Sequence, residues 1–289
     1  MILKHPDIGD HKIALFYEST TRIKQAEGYS TQRVGPDMEH ICQTYFRNQN
    51  YYRINGRPVI VLYLTRVLHQ KGVLGESTRI MRETARNVCN TEIFILGDQI
   101  FNGPPNSNAE YSPFEFLDAV TNYDVYGNMN KFPYAGQEAV DDYYLEQKEW
   151  SERAGENGVG YVPVVSPGYN DRGVRLDKNH LGLSRQLTNS SDPGTLFVAQ
   201  LEQARYLVDP TMENLLLVNS FNEWHKDSQI KPAEGKATNL PLQLTNGLQY
   251  EGYGELYLNI LRAETCDSNC EKEKLFPIPE RRSLRRSPV

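Results

Sequence analysis

The side chains best suited to chemistry lie close together in the segment 219–227, which carries Asn222, Glu223, Trp224, His225 and Lys226. An apolar run at 215–218 precedes them, and such a run is typical of a strand buried on both faces. Amide, carboxylate, indole and imidazole groups that follow a buried strand are typical of an active site at the end of a barrel strand. The alternative interpretation is a strand followed by an ordinary polar loop.

Strand and helix patterns alternate along the chain, and each strand pattern is continuously apolar. The predicted strands are 13–18, 58–64, 91–98, 119–126, 159–166 and 215–218, and the predicted helices are 37–48, 77–89, 137–157, 195–208 and 253–264. Residues 19–35 and 101–113 are polar and predict loops, and Asn55-Gly56 predicts a turn. Alternation of this kind predicts an α/β fold whose parallel strands are covered on both faces.

Every predicted strand also ends in polar side chains. These are Tyr17 and Glu18, Arg66, Asp98, Asp124 and Tyr126, Tyr169 and Asp171, and Asn222 and Glu223. Polar groups gathered at the carboxyl ends of parallel strands indicate a barrel-type site. A doubly wound sheet would place them similarly, but the sequence contains neither nucleotide-binding glycine motif, so a nucleotide fold is disfavoured.

The segment SFNEWHKDSQIKP, residues 220–232, resembles a family signature. The pattern S-F-N-E-W-x-E-x-T-Q-I-E-P is that of the endo-α-mannosidase-like proteins of glycoside hydrolase family 99, a group related to proteins of polysaccharide loci. The matching positions are Ser220, Phe221, Asn222, Glu223, Trp224, Gln229, Ile230 and Pro232. Lys226 and Lys231 depart from it, because the family pattern has glutamates there.

Further segments, such as YYRINGRPVIVLYLTRVL and YVPVVSPGYNDRGVR, resemble the same family in the same order, so the resemblance spans roughly residues 10–264. It implies a (β/α)8 TIM-barrel type of fold in which this chain lacks about the first two β/α units. We expect either a fragment or a shortened barrel that leaves a strand edge exposed.

The resemblance also implies a chemistry. In the family the first carboxylate acts as a base on the sugar 2-hydroxyl, and the second acts as acid and then as base toward water, so retaining hydrolysis passes through a 1,2-anhydro sugar. Glu223 occupies the first position and Lys226 the second. Because a lysine of ordinary pKa is a poor proton donor at neutral pH, hydrolysis is in doubt. A non-catalytic carbohydrate-binding domain and a glycosyltransferase-associated protein of polysaccharide biosynthesis remain alternatives.

Other candidate site residues carry competing structural interpretations. The candidates for contact with a mannose-containing glycan are Asn222, Trp224, His225, Tyr126, Tyr169 and Arg175. Trp224 could stack on a sugar ring or belong to the core, and a structural role is favoured for His225. Glu18 and Asp98 could support the site or cap helices.

Composition limits the other classes of partner. A net charge of −6 and a pI near 5.6 give no reason to expect nucleic acid or an anionic membrane surface. No window reaches the ~20 apolar residues of a membrane span, and the start of the chain lacks a signal-peptide core. The six histidines show no metal-binding spacing, and no cofactor is expected. The compartment stays unknown, although the resemblance suggests the secretory pathway or the exterior.

The remaining expectations concern domains and cysteines. We expect one barrel-like domain over residues 1–270 and a basic, disordered tail over 271–289, where a localisation or phosphorylation signal is the weaker alternative. Cys42 and Cys89 predict buried thiols. Cys266 and Cys270 could form a short disulfide, and a metal site there is disfavoured.

Overall fold

The computed structural model describes residues 5–25, 28–99, 103–104, 112–129, 132–175, 182–234 and 252–265. In chain order the strands are β1 (Leu15–Tyr17), β2 (Lys24–Gln25), β3 (Gly28–Tyr29), β4 (Arg53–Ile54), β5 (Arg57–Leu62), β6 (Phe94–Asp98), β7 (Ala119–Thr121), β8 (Gly160–Val162), β9 (Val164–Val165) and β10 (Leu217–Val218). The helices are α1 (Ser19–Arg22), α2 (Val34–Thr44), α3 (Thr65–Gln70), α4 (Leu74–Cys89), α5 (Val125–Met129), α6 (Gly136–Glu156), α7 (Thr195–Ala204) and α8 (Leu256–Thr265). Short 3₁₀ turns cover Pro6–Ile8, Pro113–Phe116, Pro210–Met212 and Trp224–Lys226.

Parallel strands form an arc in the order β1, β5, β6, β7, β8, and then β9 continues the line of β8 and pairs with β10. Pro163 separates β8 from β9, and its carbonyl accepts the amide of Leu217 at 2.9 Å. A proline cannot donate to a sheet ladder, so a break in the assigned strand at this residue is expected. Within the described residues, β1 pairs only with β5 and β10 only with β9, which leaves an edge at each end of the arc.

Successive residues of the arc face opposite sides, as strand geometry requires. One side holds the buried cluster Ile54, Val59, Phe94, Leu96, Ala119, Val162 and Met212. The other side holds Ile60, Leu62, Ile95, Val120 and Tyr161, together with the buried faces of the covering helices. The predicted parallel strands with apolar residues on both faces are therefore confirmed for β5 to β8.

Helices α2 and α4 pack against each other outside the arc and bury Met38, Met81 and Ala85 completely. Full burial of one such methionine contributes about 1.5–3 kcal/mol. A disulfide joins Cys42 of α2 to Cys89 of α4, with the two Cα atoms 6.0 Å apart. The prediction of buried free thiols was therefore wrong, because the helix packing brings together two cysteines that are distant in sequence.

The start of α2 is tied to the strand end beside it. Asp37 accepts hydrogen bonds from the Tyr17 hydroxyl at 2.7 Å and from both Nε and Nη2 of Arg22. Burial raises the pKa of the Asp37 carboxyl, but these hydrogen bonds outweigh burial and leave its pKa below the ordinary value. The carboxylate therefore links α1, α2 and β1.

Three predicted elements differ from the structure. The strand expected over 119–126 ends at Thr121, because Asp124 accepts the amide of Gly127 at 2.8 Å and the chain turns into α5. The strand expected over 215–218 is half-buried rather than buried on both faces, because it pairs with β9 alone. The loop expected over 19–35 contains α1 and the β2–β3 hairpin.

Other boundaries shift by a few residues, and the Asn55-Gly56 turn is confirmed. Both of its residues have positive φ, 51° and 76°, and the turn joins β4 to β5 as an antiparallel hairpin. Most of the 101–113 loop, both C-terminal cysteines and the 271–289 tail lie outside the described residues. Among the helices of the described part, none has the length and apolar character to cross a membrane.

Candidate functional site

The carboxyl ends of the strands surround a cavity of about 280 Å³. Its walls combine aromatic, hydroxyl, amide and charged side chains that come from the ends of β5, β7, β9 and β10. They are Tyr63, Tyr123, Asp124, Val125, Tyr126, Ser166, Tyr169, Arg175, Asn219, Lys226 and Ser228. The sequence places these residues far apart, and the parallel arc brings them to one end of the fold.

The loop after β10 folds back on itself and carries the signature residues. The amide of Ser220 donates to the Ser228 carbonyl at 2.8 Å, and the amide of Ile230 donates to the Ser220 carbonyl at 2.9 Å. The Ser220 hydroxyl accepts the amide of Glu223 at 2.9 Å. Because both ends of the loop are pinned to Ser220, the 3₁₀ turn Trp224–Lys226 is held next to the cavity.

Glu223 and Lys226 face each other within this loop. The Lys226 Nζ lies 3.7 Å from Glu223 Oε2, and the two side chains are 30% and 35% exposed. The lysine that stands at the second signature position therefore makes an ion pair with the first carboxylate. Lys226 also lines the cavity, whereas Asn222, Trp224 and His225 lie on exposed parts of the loop and are not part of its wall.

Trp224 is 45% exposed, and Lys231 Nζ lies 5.3 Å from the centre of its ring. The core alternative for this residue is therefore wrong, because its ring is exposed and packs with a lysine at the rim. Cation–π contacts of this exposed kind contribute about 0.5–1 kcal/mol. An exposed indole beside a cavity stays available for stacking on a sugar ring.

A buried arginine anchors the far end of the loop. Arg185 is 4% exposed, and its Nη2 donates to the carbonyl and Oδ1 of Asp227 and to the carbonyl of Gln229, each at 3.0 Å. Its guanidinium carbon also lies 4.9 Å from the Tyr253 ring centre and 4.6 Å from that of Tyr257 in α8. The signature loop is thus fixed to α8 through one cation.

Tyr126 and Tyr169 form an aromatic wall of the cavity. Their rings stack with centres 3.9 Å apart and planes 21° from parallel. The Tyr169 hydroxyl donates to Asp171 Oδ2 at 2.8 Å, and Arg175 Nη1 donates to the same oxygen at 2.6 Å. Burial, with the Asp171 hydrogen bond second, raises the pKa of Tyr169, so this hydroxyl stays protonated and can donate.

A second aromatic cluster lies where β1, β5 and β7 end. The ring centres of Phe16, Tyr63 and Tyr123 are 5.4, 5.5 and 5.7 Å apart in the three pairs. Phe16 is 43% exposed, while both tyrosines line the cavity. Tyr63 and Tyr123 were not predicted as site residues, because the predicted strands 58–64 and 119–126 include both positions, whereas β5 ends at Leu62 and β7 at Thr121.

Glu18 and Asp98 occupy the positions expected for supporting residues and act on backbone groups. Glu18 is exposed, and its Oε1 accepts the amide of Thr20 at 3.0 Å, which caps α1. Asp98 is fully buried and accepts the amides of Leu64 at 3.3 Å and Tyr123 at 2.8 Å. Asp98 therefore holds the ends of β5 and β7 in place beneath the two tyrosines.

Of the cavity-lining residues in the described part of the chain, Asp124 is the one that carries a carboxyl group. Burial raises the pKa of its carboxyl; the amides of Gly127 and Tyr126 and the charges of Lys226 and Arg175 offset only part of that effect. The sequence places Asp124 at the end of a predicted strand, but it was not predicted as a site residue. Its signal was weak because the predicted strand continued to residue 126.

The described part of the chain offers neither a second polar site in the groove along α4 nor a metal site. A groove of about 480 Å³ runs along α4, but its arginines are paired with carboxylates. Across the described part of the chain, no group of three histidine, cysteine, aspartate or glutamate residues could hold a metal ion.

Known proteins resemble this chain in sequence and in fold. No profile of a known protein family matches the chain. A mouse protein named glycoprotein endo-alpha-1,2-mannosidase-like protein is 33% identical over 106 residues, which are 37% of this chain and 21% of that protein. The chain thus spans about a fifth of the length of this relative.

Three solved structures share the fold. A glycoside hydrolase-like protein has a TM-score of 0.58 and 22% identity over 86% of this chain and 64% of its own. The GH99 endo-alpha-mannosidase of Bacteroides thetaiotaomicron, in complex with BIS-TRIS-propane, has a TM-score of 0.59 and 19% identity over 86% and 66%. Another structure of that enzyme has a TM-score of 0.58 and 18% identity over 89% and 67%. The α/β fold of TIM-barrel type and the resemblance to GH99-like proteins are confirmed.

Proposed function

We propose that this chain acts on mannose-containing glycans as a retaining glycoside hydrolase of the endo-α-mannosidase type. The observation that carries this proposal is the Glu223 carboxylate, which lies next to a cavity walled by stacked tyrosines at the carboxyl ends of the parallel strands. The fold shared with endo-α-mannosidase structures and the named mouse relative support the same substrate class.

In this proposal Glu223 accepts the proton of the sugar 2-hydroxyl, whose oxygen attacks the anomeric carbon. Lys226, at 3.7 Å, keeps this carboxylate paired with a cation before the sugar arrives. Tyr126 and Tyr169 offer an aromatic edge to the sugar. Arg175 Nη1 donates to the Tyr169 hydroxyl at 3.2 Å and this hydroxyl donates to Asp171, so the Tyr169 ring is held in place.

Asn222, Trp224 and His225 lie on the exposed rim of the signature loop, outside the cavity wall. We assign them contacts with sugar residues beyond the one that is cleaved. An exposed indole can stack on a pyranose ring, since its ring face is apolar and its N–H can still donate. Glu18 supports the site only by capping α1, and Asp98 only by holding the ends of β5 and β7.

A second candidate function is carbohydrate binding without turnover, and Lys226 is the observation that favours it. Its ammonium neutralises Glu223 and stands where the family places a second carboxylate. A binding domain requires only the aromatic walls and the hydrogen-bond donors.

The test measures cleavage of α-mannan and high-mannose oligosaccharides by the unaltered chain, Glu223→Gln and Lys226→Glu. The exposed Glu115 is far from the cavity, on the α4 side, so Glu115→Gln is the matched control. Hydrolysis requires that the unaltered chain and Glu115→Gln cleave and that Glu223→Gln does not. Cleavage by Lys226→Glu alone, with glycan binding by the unaltered chain in calorimetry, would establish the binding function instead.

A further inference from the structure

Glycoside cleavage requires a group that protonates the leaving oxygen as the glycosidic bond breaks. In this chain the signature position expected to supply it carries Lys226, whose ammonium is already paired with Glu223 at 3.7 Å. A proton donor, if the chain hydrolyses glycans, must therefore come from another strand end. The inference that follows rests on the proposed function.

We propose that Asp124 is the general acid of this site. Asp124 lines the 280 Å³ cavity, and among the described lining residues it is the one with a carboxyl group. It follows β7, whereas Glu223 follows β10, so the two carboxyl groups come from different strand ends of the arc. Lys226 lines the same cavity as Asp124 and also forms an ion pair with Glu223. This lysine therefore links Glu223 to the cavity.

The surroundings of Asp124 suit a donor. The carboxyl is held by the Gly127 amide at 2.8 Å at the start of α5, which fixes its position against the cavity. Burial raises its pKa above the ordinary aspartate value, and the backbone amides and cations reduce this effect without reversing it. A carboxyl group whose burial raises its pKa in this way is suited to the role of general acid.

The charged and titratable groups that face Asp124 come from several elements. Lys226 of the signature loop and Arg175 of the loop after β9 lower its pKa. The phenols whose pKa it raises are Tyr63, Tyr123, Tyr126, Tyr143 and Tyr169. Since these phenols stay protonated at neutral pH, Lys226 and Arg175 are the charges that set the proton affinity of Asp124.

The proposed step is balanced. Asp124 gives its proton to the glycosidic oxygen, which keeps the electron pair of the breaking bond to the anomeric carbon. The 2-hydroxyl gives its proton to Glu223 as its oxygen bonds to that carbon. In the second step water bonds to the anomeric carbon and gives a proton to Asp124, while the bond between that carbon and the oxygen at position 2 breaks and this oxygen recovers its proton from Glu223. The sum is hydrolysis, with both carboxyl groups restored.

The experiment compares the unaltered chain with Asp124→Asn on two substrates. One is an oligomannoside, and the other is the same sugar with a dinitrophenolate leaving group, which needs no proton; azide serves as the nucleophile for the second. General acid catalysis is worth about 100–10,000-fold. We expect Asp124→Asn to lose about 100-fold or more in kcat/KM on the oligomannoside and to keep the rate of azide product from the activated substrate.

Two further measurements separate a chemical role from a structural one. Asp124→Glu should recover part of the oligomannoside rate, and calorimetry should show that Asp124→Asn still binds the glycan. Lys226→Met removes a cation that lowers the Asp124 pKa, so the alkaline limb of the kcat/KM profile should move to higher pH. A structural carboxylate would not shift that limb.

The outcomes are distinct. If Asp124→Asn loses the same rate on both substrates, or loses none on either, Asp124 is not the general acid. If the unaltered chain is still active in that case, the proposed function stands. An unaltered chain that cleaves neither substrate refutes hydrolysis and the role of Asp124 together. Selective loss on the oligomannoside supports both.

Discussion

Replacement of Arg185 by methionine should remove the link between the signature loop and α8. Methionine keeps an apolar side chain, so the substitution removes the charge, its hydrogen bonds and the contact of the guanidinium with the rings of Tyr253 and Tyr257. Nη2 of Arg185 makes three hydrogen bonds of 3.0 Å, two to Asp227 and one to the carbonyl of Gln229.

The magnitude follows from burial. The Arg185 side chain is 3% exposed and that of Asp227 is 17% exposed, so the variant would leave a carboxylate with little water to replace its partner. Loss of one member of a buried ion pair costs about 3–5 kcal/mol. Because water still reaches part of Asp227, we expect the lower half of this range, about 3–4 kcal/mol.

The assay is denaturation by urea or heat beside a matched control. Arg79→Met also removes an arginine that contacts two carboxylates, Glu76 at 2.8 Å and Glu83 at 2.6 Å, but all three side chains are about half exposed. Exposed pairs contribute about 0–1 kcal/mol. For a domain of this size the Arg185 variant should melt roughly 6–15 °C lower, and equal losses in the two variants would refute the assignment of Arg185 as the anchor.

Three other perturbations have defined outcomes. The double variant Cys42→Ala/Cys89→Ala opens a link between residues 47 apart in sequence, and chain entropy gives a loss of up to about 4 kcal/mol in the free energy of unfolding, measured beside reduction of the unaltered chain. Asp37 has a pKa below the ordinary value in the folded chain, so its contribution to the free energy of unfolding is complete above about pH 4 and is lost as pH falls through the folded pKa. In Asp37→Asn the free energy of unfolding should therefore depend less on pH in that acid range. Gly97→Ala would place a methyl group 2.5 Å from a leucine side chain and should cost about 1–3 kcal/mol, whereas Gly155→Ala in α6 meets nothing within 4 Å and should be neutral or stabilising by thermal melting.

The sequence was sufficient to predict the parallel strands because their apolar runs are long and each is followed by polar residues. The runs at β5 and β6 extend over five or six residues, and the structure buries nearly all of them. The 215–218 run looked equally apolar, yet it is half-buried, because apolar composition does not report how many neighbouring strands a segment finds.

The candidate site could likewise be predicted from the sequence only in part. The signature segment identified Glu223 and Lys226 directly, and the structure places them 3.7 Å apart. Asp124 could not be selected from sequence, since burial is what raises its pKa, and burial depends on residues that are distant in the chain. The disulfide between α2 and α4 was missed for a related reason, because only the packing of two helices brings its cysteines together.

The pairing of cations with carboxylates around the cavity has a consequence for how ligands arrive. Lys226 is matched by Glu223 and Arg175 by Asp171, so the wall carries no surplus charge when the Asp124 carboxyl is protonated as proposed. An uncharged oligosaccharide then reaches the cavity by unsteered diffusion. Its affinity should change little between about 0.01 and 1 M salt, over which the screening length falls from about 30 to 3 Å, and sulfated or phosphorylated glycans should gain no advantage in association rate.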